Sequence, residues 1–379
     1  MTGEEAPGDP YILTNATIPT ILRRVATAKN EVVFTTLVLK KGEGVSGSNM
    51  QMLSNFCYWL DRVNALEHTL IITTDAYTHR SIRDAGFPSY LDRAFPLPSI
   101  FPNYAVKHPS TSNSIYYHTK WWWGWAIANA GFRQVFMDSD AIPLKSPWTL
   151  FQPDKYDLQG LSDWRTAELP EPGASLRDFC DMYWMVPWES APAKHMVRQR
   201  WAIPGDFKKG ARAPFYGPCQ SAGVWVMEPR PSTLRPMAQM VRRLRTPETV
   251  SQWDQALWNE VVVTHLWGMG REQPLRYRLF PHSVAANVGP YDERRRRGLP
   301  TNLAVVHLGY VNGEDNKVAA YTRLGLWRGD YSRKDNPVAF PNPVEESDAA
   351  GAAARAASAA SAQFGAWQDV ATHAGPAVR

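Results

Sequence analysis

Cysteine is scarce in this chain: there are three in 379 residues, Cys57, Cys180 and Cys219, and no CxxC pair. That count excludes a zinc cluster and a complete disulfide framework, leaving room for one bridge at most. Long apolar runs are missing too. No stretch approaches the roughly 18 apolar residues that span a bilayer. The opening MTGEEAPGDPYILTNATIP lacks the basic-then-apolar order of a secretory signal, so the chain as written reads as soluble. Nor is there an excess of one charge. With 41 basic residues against 36 acidic ones, a net +5, the surface is mixed rather than striped with base, which argues against a nucleic-acid partner.

What is present is apolar and aromatic material. At 44% hydrophobic residues the chain can bury a sizeable core. Its sixteen Trp and fifteen Tyr suit carbohydrate stacking as well as core filling. One Asn-x-Thr site, Asn15-Ala16-Thr17, is compatible with lumenal exposure and is also common by chance. The polar residues 1–29 and the Ala/Ser-rich residues 343–379 read as appendages, a polar N-terminal extension and a low-complexity tail. Between them, residues 30–342 form a single domain with no internal repeat.

Within that domain apolar strands and amphipathic helices alternate. Glu31-VVFTTLVL and Leu70-IITT are β-branched runs, and between them Met52, Phe56, Trp59/Leu60 and Val63 share one helical face. A helix is expected between Asn113 and Ala130, with Ser112 as cap and Gly131 as stop. Strand Gln134-VFM follows, then strand Ala222-GVWVM, helices over Pro231–Leu244 and Trp253–Thr264, and a last strand Leu303-AVVH. This alternation predicts an α/β fold, a mixed central sheet flanked by helices, with ligands at the carboxyl ends of its strands.

The chemistry gathers at those ends. Asp138-x-Asp140 leaves strand Gln134-VFM directly, and two carboxylates one residue apart can share a hard divalent cation and the phosphates it bridges. The bland alternative is a pair of solvated turn carboxylates. His307 closes strand AVVH and is followed by Gly313 and Lys317: an imidazole ligand, a permissive backbone and a compact charge for phosphate oxygens. On its own His307 is an ordinary strand-end histidine. Joined to Asp138 and Asp140, it would neutralise a departing diphosphate as a sugar's anomeric bond breaks, and that phosphate can itself take the acceptor's proton.

VVFTTL, FMDSDAIPLKSPW, SAGVWVM, WDQALWNEV, RYRLFPHSVAANVGPYD and AVVHLGYVNGEDNK occur in the order seen in the nucleotide-diphospho-sugar transferases, and the chain resembles glycosyltransferase family 77 from about Glu31 to Trp327. The resemblance implies a GT-A-like (Rossmann-like) fold and a retaining, Mn²⁺- or Mg²⁺-dependent transfer from a nucleotide sugar such as a UDP-sugar to a glycan or glycoprotein. It also implies the Golgi lumen as the place of work, although the membrane anchor usual in relatives is not visible in this sequence.

Residue by residue, the resemblance makes Asp138, Asp140 and His307 the metal ligands and Lys317, with Gly313 near it, a diphosphate contact. Thr35 and Thr36 fall at the base and ribose, Asp75 is a further donor contact or a strand-end cap, and Lys120 reaches donor oxygens or lies on a solvated helix face. Asp163 matches a donor-sugar ligand, and Asp254-Gln255 matches the pair beside the donor sugar, where Asp254 is equally a helix-start residue. The chain departs from the family's Asn-Ser-Gly at Gln220-Ser221-Ala222-Gly223, so Gln220 and Ser221 are weaker sugar or acceptor contacts and Gly223 is kept for backbone reasons. Trp121-Trp122-Trp123 points three ways on a helix and is read as packing, and Arg294–Arg297 as an exposed charged loop.

Two rivals differ in class. A DxD phosphatase expects Thr or Val two residues after its second Asp, on the first strand, where this chain has Ile142. A non-catalytic nucleotide-sugar or glycan binder of the same fold draws support only from the altered Gln220–Gly223 segment.

Overall fold

The computed structural model describes residues 11–39, 47–94, 112–163, 185–187, 212–214, 220–244, 254–266 and 275–338. The chain opens with a short strand β1 (Ile12–Leu13) and helix α1 (Ile18–Val25). Ile18, Ile21, Leu22 and Val25 recur at helical spacing and are all buried, and β1 pairs with strand β4 (Ser89–Asp92). The boundary drawn at residue 30 is therefore too late, because residues 11–29 supply an edge strand and part of the core. Overall polarity hid a short amphipathic face.

Strand β2 (Glu31–Thr36), helix α2 (Ser48–Arg62), strand β3 (Thr69–Thr73), helix α3 (Ala76–Asp84) and β4 then wind as parallel βαβ units. Helix α4 (Ser112–Asn129) leads to strand β5 (Arg133–Met137). Gly131, with φ +88°, makes the left-handed stop between them that the sequence signals. Strands β6 (Ala141–Pro143), β7 (Leu158–Ser162), β8 (Met185–Pro187), β9 (Arg212–Pro214) and β10 (Gln220–Met227) come next. Helices α5 (Pro231–Leu244) and α6 (Asp254–Leu266) precede β11 (Tyr277–Leu279), β12 (Ala285–Asn287), helix α7 (Val288–Arg296), β13 (Val305–His307) and helix α8 (Glu314–Leu324).

The main sheet has the order β1-β4-β3-β2-β5-β10-β7-β11, and a second, small sheet has the order β12-β13-β6. Every neighbouring pair of the main sheet is parallel except those made by β10, which runs against both β5 and β7. Side chains alternate with a period of two. Val32, Phe34, Phe136 and Trp225 face α1, α4, α5 and α6 in one core, while Val33, Val135 and Val224 face α2 and α3 in another. The expected mixed α/β sheet flanked by helices is thus observed.

Direction matters for the site. Because β10 is antiparallel, its start lies beside the ends of β5 and β7, with Val224 opposite Met137 and Gln220 opposite Ser162. Gln220 and Ser221 therefore reach the functional edge at the beginning of their strand, not at a carboxyl end. Alternation of apolar residues defines a strand without giving its direction.

Trp121, Trp122 and Trp123 are all buried in the core, in keeping with the packing reading. One smaller expectation changes. Arg294–Arg297 is the end of helix α7, not a loop; Arg294 is buried with its guanidinium on Pro300 O, and Arg297 ion-pairs with Glu293. Cys57 is a free, buried thiol, whereas Cys180, Cys219 and the tail 343–379 lie outside the described residues.

Candidate active site

The turn after β5 is pinned by its own backbone. Asp138 N–H donates to Gly223 O at 2.8 Å, extending the β5–β10 ladder by one residue, and Ala141 N–H donates back to Asp138 O at 2.8 Å. Asp140 O accepts from Leu308 N–H at 3.1 Å and from the Tyr321 hydroxyl. In the small sheet β6 pairs with β13 so that Ala141 stands opposite His307. Sequence neighbours of Asp140 thereby meet a histidine from far downstream.

The result is a cluster in which one ligand atom each from Asp138, Asp140 and His307 lies within 4.8 Å of the others. His307 Nε2 is 3.2 Å from Asp140 Oδ1 and 3.9 Å from Asp138 Oδ2. Lys317, carried on the first turns of α8, ion-pairs with Asp140 Oδ2. Gly313, with φ +85°, allows the chain to turn into that helix. Two carboxylate oxygens and one imidazole nitrogen form a donor set that suits a hard to borderline divalent cation.

Electrostatics separate the two acids. Burial pushes the Asp140 carboxyl up, but the charges of His307 and Lys317 and their hydrogen bonds outweigh it and hold that carboxyl well below the usual range. Burial raises Asp138, opposed by Lys120 and reinforced by Asp140. For His307 burial disfavours the cation, yet the Asp140 charge and hydrogen bond win and raise its pKa.

Beside this cluster runs a buried polar chain. Lys120 Nζ is 2.9 Å from Asp254 Oδ2, and both side chains are at least nine-tenths buried, so the solvated-face reading of Lys120 fails. The Trp121 indole N–H donates to the same oxygen at 2.9 Å. Gln255 is gripped at both ends: its Oε1 accepts from Ala222 N–H at 2.9 Å and its Nε2 donates to Asp163 Oδ2 at 2.7 Å. Tyr310, a non-glycine residue at φ +67°, donates its hydroxyl to Asp163 O at 2.9 Å. The ends of β7, β10 and α6 and the loop after β13 are thus tied together.

Other expected residues sit further off. Thr35 is buried, and Thr36 lines a small hollow with Ile72, Thr74 and Thr119 at the end of β2, one strand from Asp138. Asp75 accepts from Thr78 N–H at 2.8 Å and caps α3. Ser221 Oγ takes Gly223 N–H at 3.3 Å. Gln220 is bound through its backbone to Asn259, while its side-chain amide lies buried over Gly160 with no hydrogen-bond partner among the described residues.

Sequence reasoning passed over Asn287, Trp121 and Tyr310 as site residues. Asn287 Oδ1 lies 2.8 Å from His307 Nδ1. The available signal was an Asn closing the short apolar run VAAN inside a quoted motif, but its partner is defined only by the β12–β13 pairing.

An acidic pair, a histidine and a lysine at the edge of a mostly parallel α/β sheet describe an enzyme that handles anionic oxygen. The chain belongs to the nucleotide-diphospho-sugar transferase family, whose sequence model matches residues 64–320, more than half of its length. It is therefore a glycosyltransferase. Among curated proteins no sequence matches it. Solved structures similar to it include a glycosyltransferase involved in glycosylation of the major capsid of PBCV-1, at 9% identity and TM-score 0.37, covering 77% of this chain and 98% of that one. The galactosyltransferase LgtC in complex with donor and acceptor sugar analogs is similar at 11% identity and TM-score 0.39, covering 77% and 95%. Mouse xyloside xylosyltransferase 1 in its apo form is similar at 11% identity and TM-score 0.37, covering 74% and 98%.

Proposed function

We propose that this glycosyltransferase is metal-dependent and retaining, and moves a sugar from a UDP-sugar to a hydroxyl of a glycan or glycoprotein. The observation that carries the reading is the convergence of Asp138, Asp140 and His307 on one small volume with Lys317 at its edge. These three would hold Mn²⁺ or Mg²⁺, which when bound neutralises charge on the departing diphosphate. Lys317 supplies a second, compact charge to the same oxygens. Thr35 and Thr36 line the base and ribose side, and Asp163 and Lys120 take donor hydroxyls.

Asp254 and Gln255 face the sugar. Lys120 and Trp121 both bind Oδ2 of Asp254, which leaves Oδ1 to stabilise positive charge as it develops at the anomeric carbon. The departing phosphate accepts the acceptor's proton, so no separate base is required of the chain. The amide of Gln220, without a partner among the described residues, and Ser221 beside it are suited to a sugar hydroxyl from donor or acceptor. The Golgi lumen is the compartment the family resemblance suggests; no helix among the described residues is long and apolar enough to cross a membrane.

The test is metal-dependent turnover of UDP-sugars. Asp140→Ala should lower kcat/KM by about a hundredfold or more while a melting curve stays cooperative, because the loss is one of charge placement rather than of core. Full activity of the parent protein in excess chelator would refute the reading.

A further inference from the structure

We propose that Asn287 is a positioning residue that aims Nε2 of His307 at the cation, and that Gly309 exists to leave it room. This rests on the reading of Asp138, Asp140 and His307 as metal ligands. Asn287 stands directly opposite His307 in the parallel β12–β13 pair and is fully buried. Its Oδ1 is 2.8 Å from His307 Nδ1, and its Nδ2 donates to Ser162 O at 3.3 Å.

These two contacts leave the amide one orientation. Turned over, it would set its oxygen against the Ser162 carbonyl, and two acceptors cannot bond each other. An amide oxygen only accepts, so Nδ1 of His307 carries the hydrogen, and in the neutral ring that a cation binds the lone pair is left on Nε2. Nε2 is the atom that faces both Asp140 and Asp138. A ring nitrogen held in this way from behind is the general means by which a metal-binding histidine is fixed in tautomer and direction.

Two further observations point the same way. Asn287 occupies the N-cap position of α7 with φ −65° and ψ 159°, where an Asn side chain ordinarily caps, yet it makes no capping bond. The side chain is turned to the histidine instead. And at Gly309, whose φ is not in the left-handed region, a Cβ would fall on Asn287 Oδ1 and lie 3.1 Å from His307 Nδ1. Glycine is required there for side-chain space, not for backbone freedom.

The experiment is calorimetric titration of Mn²⁺ into the full chain and its variants, with metal-free melting curves as the control for folding. Asn287→Leu, which keeps the volume and removes the acceptor, should bind Mn²⁺ about 10–100-fold more weakly, and Gly309→Ala should do the same by displacing the amide. Asn287→Asp, which keeps an acceptor at Oδ1 while losing the donor to Ser162 O, should bind Mn²⁺ more tightly than Asn287→Leu. If Asn287→Leu loses its cooperative transition, Gly309→Ala carries the test, because it removes no polar group.

A parent that binds no Mn²⁺, or a His307→Ala variant that binds it as tightly as the parent, overturns the ligand set and this inference with it. Weakened binding in His307→Ala, together with parental affinity in Asn287→Leu and Gly309→Ala, overturns this inference alone and leaves the proposed function standing. Loss in Asn287→Asp equal to that in Asn287→Leu overturns it too, since the acceptor would then not be what matters.

Discussion

At the scale of single residues, a tightly constrained position beside the candidate cation site is one without a side chain. A Cβ on Gly223 would fall on His307 Nε2 and lie 3.0 Å from Asp138 Oδ2. Its φ is unexceptional, so the sequence-based expectation that Gly223 is kept for backbone reasons is replaced by a steric one. Gly223→Ala should weaken Mn²⁺ binding about tenfold or more in a calorimetric titration, by pushing two ligands apart. It should cost stability only on the order of 1–3 kcal/mol, as overpacking does. Parental affinity in that variant would show that the ligands do not need this spacing. Asp138, Asp140, His307 and Lys317 were legible in the sequence because few residue types can do their chemistry. Gly223 and Asn287 were not, because what they do is set by neighbours from other strands.

At the scale of elements, α4 shows how a charged group is accommodated in a largely buried stretch, residues 119–128. Lys120 meets Asp254 across the α4–α6 contact, among Trp121, Trp225 and Trp258, whose rings stack or tilt on one another at centroid distances of 6.0 and 4.7 Å from Trp121. Removing one partner of a buried ion pair leaves the other charge unpaired, so Lys120→Met should destabilise by about 3–5 kcal/mol. Lys120→Met combined with Asp254→Leu should recover much of that loss, since an apolar pair suits the same surroundings. Urea unfolding of the two variants checks both numbers; a double variant no more stable than the single one would show that the pair is not coupled. The spacing of apolar residues announced α4 as a helix, but helical period alone could not tell a lysine on a wet face from one buried against a carboxylate. The same limit applies to β10, recognised as a strand whose direction only its antiparallel pairing with β5 and β7 supplies.

At the scale of the whole molecule, residues 11–29 are part of the fold. Ile18, Ile21, Leu22 and Val25 are each 6% exposed or less, and β1 covers the outer edge of β4. Burying four such side chains contributes about 6–12 kcal/mol as an upper bound. That is comparable with the roughly 5–15 kcal/mol of net stability typical of a domain. A chain beginning at residue 30 should therefore be insoluble or melt far below the parent, with β4 left as a bare edge. A truncated chain that melts with the parent would count against α1 as core.

The acidic turn has one more property. Asp138 directly follows β5 of the large sheet and Asp140 directly precedes β6 of the small one, where His307 stands on β13. An ion gripped by this trio would work as a rivet through two plates. Filling the proposed site and holding the two sheets in alignment would then be a single equilibrium, and occupancy by metal would lend rigidity along with reactivity.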